Sequence, residues 1–254
     1  MGARGAAAAV ALVCALGAGG CGGSDGGATS TTGEPAASAA TSTPAQAPAP
    51  KGRTVRFRAT DGVRLHGTLT PAEASRAPAV VLVHQYQGGP DQWTPMIPYL
   101  HEAGYAVLNY ASRSAGELDE RILARDARGA IAALRRQRDV DPRRIAILGA
   151  SIGASTAAWV AGRPPDMHLR AAIGLSPAES TSFFSAGDKG TFRPHDLLLI
   201  ADHGELVEAT GIKQDAHGKG VTVKESKETG HGVALIPDAT VRSAIIDWLD
   251  ARMR

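Results

Sequence analysis

Cysteine is missing from the whole of residues 51–254; the chain's two, Cys14 and Cys21, both stand within its first 21 residues. A disulfide framework, a thiol nucleophile and a cysteine-ligated zinc are thereby excluded for that stretch. Eight histidines are present, but no H-x-x-x-H pair or comparable ligand spacing occurs among them, so neither a metal nor an organic cofactor is expected. Charge is scarce at the start, where only Arg4, Asp25 and Glu34 precede Lys51. The uncharged apolar run Ala6–Leu16 is too short for a permanent membrane span. After Lys51 charge is plentiful but balanced. Subtracting the early residues leaves 26 basic and 23 acidic side chains, a net of +3. That balance gives no reason to expect a nucleic-acid groove or a polybasic membrane patch.

What is present divides into three parts. Residues 1–20 read as a signal peptide, with Arg4 as the positive end, an apolar stretch and small residues after it. Ala18-Gly19-Gly20-Cys21 then resembles a bacterial lipobox, with Ala18 where Leu is preferred. The resemblance implies a lipid on Cys21 and an extracytoplasmic, membrane-anchored protein. Residues 21–50 are rich in Gly, Ser, Thr, Ala and Pro and hold no large apolar residue. Such a composition cannot bury enough surface to offset chain entropy, which predicts a disordered tether. Residues 51–254 are long enough for one globular domain with a single large core.

The rhythm of the domain predicts its architecture. Thr54–Ala59 and Val63–Thr70 flank Asp61-Gly62, a hairpin signal. Apolar runs follow at Ala79–Val83, Tyr105–Tyr110, Arg144–Leu148, Ala171–Leu175, Leu197–Ala201 and Val221–Lys224. Runs of Val, Ile and Leu that do not alternate with polar residues indicate strands covered on both faces. Between them, Glu120–Arg138 places Ile122, Leu123, Ala127, Ala130, Ile131 and Leu134 on one helical stripe, and Asp238–Arg252 does the same with Val241, Ile245, Ile246 and Leu249. The expected fold is α/β: a mostly parallel sheet with helices on both faces, whose ligands bind at the carboxyl ends of the strands.

Gly149-Ala150-Ser151-Ile152-Gly153 matches G-x-S-x-G. The pattern alone is weak, and Gly22-Gly23-Ser24-Asp25-Gly26 in the tether repeats it. Ser151 differs by following a strand and preceding the helix-forming Ala154–Ala161, the setting a nucleophile elbow needs. Gly230-His231-Gly232 lies between the last strand and the last helix, where flexible flanks can carry an imidazole to the elbow as general base. For the acid, Asp202 and Glu205 compete after Leu197–Ala201, with Glu179 a remote third.

The stretch Asp141–Gly153 resembles the elbow of α/β-hydrolases, especially the dienelactone-hydrolase-like branch, and the order Ser…acid…His is that family's. The likeness extends over nearly all of residues 54–253 and implies the α/β-hydrolase fold; the 21 residues between Leu175 and Leu197 are too few for a helical cap domain. The likeness also implies Ser151 as nucleophile, His231 as base and an acid a few residues beyond its strand. That favours Glu205, four residues after Ala201, with Asp202 left to cap the turn. Backbone N–H groups of Ile152 and Tyr86 would form the oxyanion hole, although Gln85 stands where the family has Gly. His84 would shape that loop.

Phe183, Phe184 and Phe192 could line an acyl pocket or simply pack on the core, and Arg113 could meet an anionic substrate. The resulting expectation is a serine hydrolase cleaving small-molecule esters through an acyl-enzyme, with no nucleic-acid partner and a membrane contact through the lipid. Two alternatives stay open: a catalytically silent binding lipoprotein on the same fold, and a peptidase or acyltransferase using the same triad. Oligomeric state is not legible.

Overall fold

Strands made of unbroken Val, Ile and Leu need cover on both sides, and the topology supplies it. The computed structural model describes residues 51–113, 120–178, 191–217 and 219–254. Eight strands appear there: β1 (Arg53–Arg58), β2 (Arg64–Thr70), β3 (Ala77–Val83), β4 (Ala106–Tyr110), β5 (Val140–Ala150), β6 (Ala171–Leu175), β7 (Leu197–Ala201) and β8 (Val221–Glu225). They form one sheet in the order β1-β2-β4-β3-β5-β6-β7-β8. β1 pairs antiparallel with β2, and β2 with β4; the other five pairings are parallel. The fold class expected from the sequence is the one observed.

Among the described residues five helices cover the sheet: α1 (Ile97–Glu102), α2 (Glu120–Arg135), α3 (Ile152–Gly162), α4 (Leu206–Asp215) and α5 (Ala239–Met253). One core joins Val81, Val83, Ile147 and Leu199 to Leu123 and Ile131 of α2, Ala157 and Val160 of α3, and Ala209 and Ile212 of α4. The other joins Val80, Leu82, Leu148 and Leu198 to Leu100 of α1 and to Ile245 and Leu249 of α5. Successive strand residues thus feed opposite cores. Each fully buried Leu or Ile contributes about 1.5–3 kcal/mol by leaving water.

Several expectations need correction. β5 starts four residues before the expected Arg144, because Val140 already pairs with Ala77. Between that pair and Ile145↔Ala79, β5 advances five residues and β3 two. The Asp141 carboxylate closes this irregularity by accepting from the Arg143 N–H and Arg144 Nε, both at 3.0 Å. α2 ends at Arg135, where single-turn bonds from Arg136 and Gln137 take over. Trp93 closes a short 3-10 turn (Pro90–Trp93) and is fully buried. α4 was not foreseen, since Thr210 and Gly211 interrupt a helix that buries only Ala209 and Ile212.

Phe192 is a core residue: a methyl group on Gly162 would lie 2.3 Å from its ring. Phe183, Phe184 and Glu179 lie outside the described residues, as do Cys21 and everything else before Lys51.

Arg113 is structural as well. Its guanidinium Nε donates to Asp126 at 2.9 Å, another of its nitrogens reaches Asp61 at 2.9 Å, and its backbone N–H donates to Asp126 at 2.8 Å. The hydrogen bond to Asp126 raises the guanidinium's pKa above its usual value, and the Asp126 side chain is 0% exposed. Removing one partner strands the other charge in the interior, at a cost of about 3 kcal/mol or more. Arg113→Met should therefore lower the unfolding free energy by about that amount, read as a lower urea midpoint at an unchanged slope. An unchanged midpoint would show that the pair contributes nothing.

Candidate active site

Three parallel strands end in the residues that matter. Ser151 follows β5, whose glycines let backbone pack where no side chain fits. A Cβ on Gly149 would lie 1.9 Å from the Gly153 carbonyl oxygen, and one on Gly153 would lie 2.3 Å from that of Val83. Between them Ser151 adopts φ 53° and ψ −120°, a conformation costing a non-glycine residue about 1–3 kcal/mol. It is held there by its N–H donating to Leu175 O at 2.8 Å and its carbonyl accepting from Ala154 N at 2.8 Å. The residue is only 8% exposed and sits at the N-terminus of α3.

After β7 the chain makes a turn, His203–Glu205, capped by Asp202. Asp202 Oδ1 accepts from the Glu205 N–H at 3.1 Å, and Oδ2 accepts from the Gly230 N–H at 3.1 Å. Glu205 then points at the loop beyond β8: its Oε1 lies 2.6 Å from His231 Nδ1. An ionised carboxylate only accepts, so Nδ1 carries the proton and Nε2 keeps its lone pair. The pair is partly open, with side chains 30% and 47% exposed.

The third piece is the loop after β3. His84 Nε2 accepts from the Ser112 N–H at 3.1 Å, which leaves the ring proton on Nδ1, donated to Gln85 O at 2.9 Å. Across a planar trans peptide, fixing the Gln85 carbonyl toward His84 aims the Tyr86 N–H the other way. Neither that N–H nor the Ile152 N–H makes a hydrogen bond among the described residues. The elbow touches this loop directly, since a Cβ on Gly153 would also lie 2.8 Å from His84 O.

Gln85 does more than replace a glycine. Its Oε1 accepts from the Val233 N–H at 3.2 Å and occupies the space a Cβ on Gly232 would need, at 2.3 Å. The same hypothetical Cβ would lie 3.4 Å from Ala150 Cβ, so the loop carrying His231 lies against the residue preceding Ser151. His231 is therefore bracketed: Asp202 holds the N–H before it and Gln85 the N–H two residues after it. Glu205 and His231 are brought into contact, whereas no hydrogen bond joins the Ser151 hydroxyl to His231 among the described residues. The bracket was missed in the sequence, where an amide in place of the family's glycine was its one signal. His203 pairs with Glu225 at 2.9 Å and stays exposed, away from these contacts.

The eight-stranded order and the strand–turn–helix at Ser151 define the α/β-hydrolase fold. Solved structures of that fold superpose on 80% of the chain. The esterase Pf2001 of Pyrococcus furiosus does so with a TM-score of 0.67 at 16% identity, over 94% of its own length. The α/β hydrolase GrgF of a Penicillium species gives 0.63 at 16% over 99%, and a bacterial heroin esterase gives 0.65 at 17% over 84%.

Among sequence relatives, the uncharacterised protein Rv2307c of Mycobacterium tuberculosis is 38% identical over 122 residues, 46% of this chain and 43% of that one. The uncharacterised protein YfhR of Escherichia coli K12 is 30% identical over 127 residues, 47% and 45% of the two chains. The chain thus matches less than half the length of either relative. No protein-family model matches it.

The geometry separates the two acids after β7. Glu205→Gln should leave the urea midpoint near the parent's and lower kcat on a nitrophenyl ester by orders of magnitude; loss of the correct imidazole tautomer costs about 10⁴ in the worked serine-protease triad. Asp202→Asn should cost mainly stability, about 1–3 kcal/mol, by setting an amide donor against the Gly230 N–H. The reverse pattern would move the acid role to Asp202.

Proposed function

We propose that the domain is a serine hydrolase of small carboxylic esters, close to the dienelactone-hydrolase-like branch in design and anchored outside the cytoplasm by a lipid on Cys21. The observation that carries the catalytic half is Ser151, strained at φ 53° on a strand–helix turn beside the loop of a His231 whose Nδ1 is held by Glu205. Strain of this kind in a buried elbow serves to present a nucleophile. The esterases among the structural neighbours support the same reading.

In this reading His231 Nε2 takes the Ser151 hydroxyl proton as Oγ attacks the ester carbonyl. The tetrahedral oxyanion lies between the N–H groups of Tyr86 and Ile152, the second reinforced by the start of α3. The imidazolium then gives its proton to the leaving alcohol. Water, deprotonated by the same nitrogen, hydrolyses the acyl-enzyme and restores Ser151. Glu205 stabilises the positive ring throughout without taking its proton. Dienelactone hydrolases use Cys as nucleophile, so a Ser here turns the reading toward esters in general.

A fluorophosphonate probe should label the intact protein on one serine, mapped by mass spectrometry to Ser151. Ser151→Ala should abolish labelling and turnover of short-chain nitrophenyl esters while leaving the circular dichroism spectrum unchanged. Absence of labelling in the folded parent would favour the silent binding protein, and turnover surviving in Ser151→Ala would remove the nucleophile assignment. Labelling with no ester turnover would point to peptides or acyl transfer.

The membrane half rests on Ala18-Gly19-Gly20-Cys21 and the composition of the tether. Cys21→Ser should shift the protein from the detergent phase to the soluble fraction, or leave it unprocessed. Equal partitioning of variant and parent would refute the anchor.

A further inference from the structure

The overall balance of charge conceals a local segregation at one edge of the sheet. β1 is the edge strand, and its alternation sends Val55 and Phe57 inward and leaves Arg56 and Arg58 exposed. On β2, Arg64 and His66 are exposed in turn. The register sets Arg56 directly opposite His66 and Arg58 directly opposite Arg64. Arg58 and Arg64 thus set like charges facing each other, which destabilises an antiparallel pair. The hairpin therefore keeps an arrangement that its own folding disfavours.

A groove of about 760 Å³ runs along this edge, lined by Arg56, Arg58, Arg64, His66 and, just past the end of α2, Arg136; among the described residues no carboxylate lines it. The acids nearest in sequence are engaged elsewhere. Asp61 is held by Arg113 and Arg125, and Asp139 by Arg53. Arg58 donates to the Gly62 carbonyl at 2.7 Å, and among the described residues Arg56, Arg64 and Arg136 pair with no carboxylate. The face is cationic, concave and uncompensated.

The chain also enters the domain here, since Arg53 at the start of β1 continues directly from Lys51 and the tether. If residues 21–50 form the coil that their composition predicts, its root-mean-square reach is about 30 Å. With Cys21 in a bilayer, the domain would meet the headgroups at an effective concentration of millimolar order, so a weak patch would suffice to dock it.

We propose that the exposed face of the β1–β2 hairpin, with Arg136, docks the domain on the headgroups of an anionic lipid surface. This deepens the membrane half of the reading above. Each arginine near an anionic leaflet is worth about fivefold in affinity, and the attraction is screened by salt.

The test uses the processed chain, residues 21–254, with Cys21→Ser, so that neither the apolar leader nor a lipid on Cys21 can contribute, and vesicles of phosphatidylcholine with or without phosphatidylglycerol. Binding should require phosphatidylglycerol and weaken with added salt. Arg56→Gln, Arg64→Gln and Arg136→Gln together should weaken it by about a hundredfold. Lys219→Gln, Lys224→Gln and Lys227→Gln, an equal loss of charge near the opposite edge strand β8, should leave it nearly unchanged. Ester turnover and the circular dichroism spectrum should match the parent in both variants.

Equal loss in the two triple variants, or equal binding to the neutral vesicles, would overturn the proposal. So would arginine-dependent binding of a single-stranded oligonucleotide with none to vesicles. Failure of the Cys21 partitioning experiment would leave this result standing, because lipidation plays no part in the assay.

Discussion

Backbone-to-backbone packing at the elbow is the constraint on which the site depends. Gly149 and Gly153 approach so closely that a methyl group on either would overlap a carbonyl, and Gly174 of β6 has the Ala154 methyl 2.9 Å from where its own Cβ would be. With α3 pressed this tightly on β3, β5 and β6, the residue between β5 and α3 has no room for an ordinary conformation. Ser151 takes the left-handed one, and the hydrogen bonds to Leu175 and Ala154 keep it there. The strain, about 1–3 kcal/mol, is small beside the burial of the surrounding Val, Ile and Leu side chains. A core that is stable as a whole can therefore hold one residue out of its minimum.

His231, the proposed base, needs a different solution, because it sits in a loop with glycines on both sides and has no strain to fix it. Its position comes from hydrogen bonds to the neighbouring backbone. Asp202 reaches back to Gly230, Gln85 reaches across to Val233, and Glu205 holds the ring itself. Each support comes from the end of a parallel strand, β7 or β3. The loop is thus fastened to the same rigid edge as the elbow, and the Gln85 side chain links the loop after β3 to the loop carrying His231. Flexible glycines let the chain reach this place, and three side chains keep it there.

How much of this was legible in the sequence depended on whether the signal was local. The strand runs and the elbow are patterns within short stretches, and with the chain order Ser…acid…His they placed Ser151, Glu205 and His231 at strand ends. Ranking Glu205 above Asp202 rested on the spacing that the resemblance implies and on the capping chemistry of Asp202, which is local. The bracket was not legible, because Gln85 and Val233 are 148 residues apart and only the folded sheet joins them. Arg113 was misread for the same reason. Its partners Asp61 and Asp126 come from the hairpin turn and from α2, so the residue looked free. α4 was missed because Gly211 and Thr210 spoil the local helical signal, and its start follows from the capped turn at Asp202.

Charge shows the same limit in another form. A net of +3 over the domain gave no reason to expect a membrane patch, and as an average the statement was sound. Averages do not register that β1 and β2 alternate in phase, so that Arg56, Arg58, Arg64 and His66 all emerge on one face. Nor do they register that the carboxylates balancing the sum are spent on Arg53, Arg113 and Arg125. Pairing removes opposite charges from the surface two at a time, and whatever stays unpaired defines the field a partner meets. A nearly neutral domain can therefore present a cationic edge, and here that edge is the strand continuous with the tether. Strand order thus puts the strand ends of the candidate site and the proposed docking face in different parts of one sheet: β3, β5 and β7 lie inside it, and β1 bounds it. Contact with lipid through β1 would leave the strand ends bearing Ser151 and Glu205 in the interior of the sheet's order, three or more strands from the docked edge.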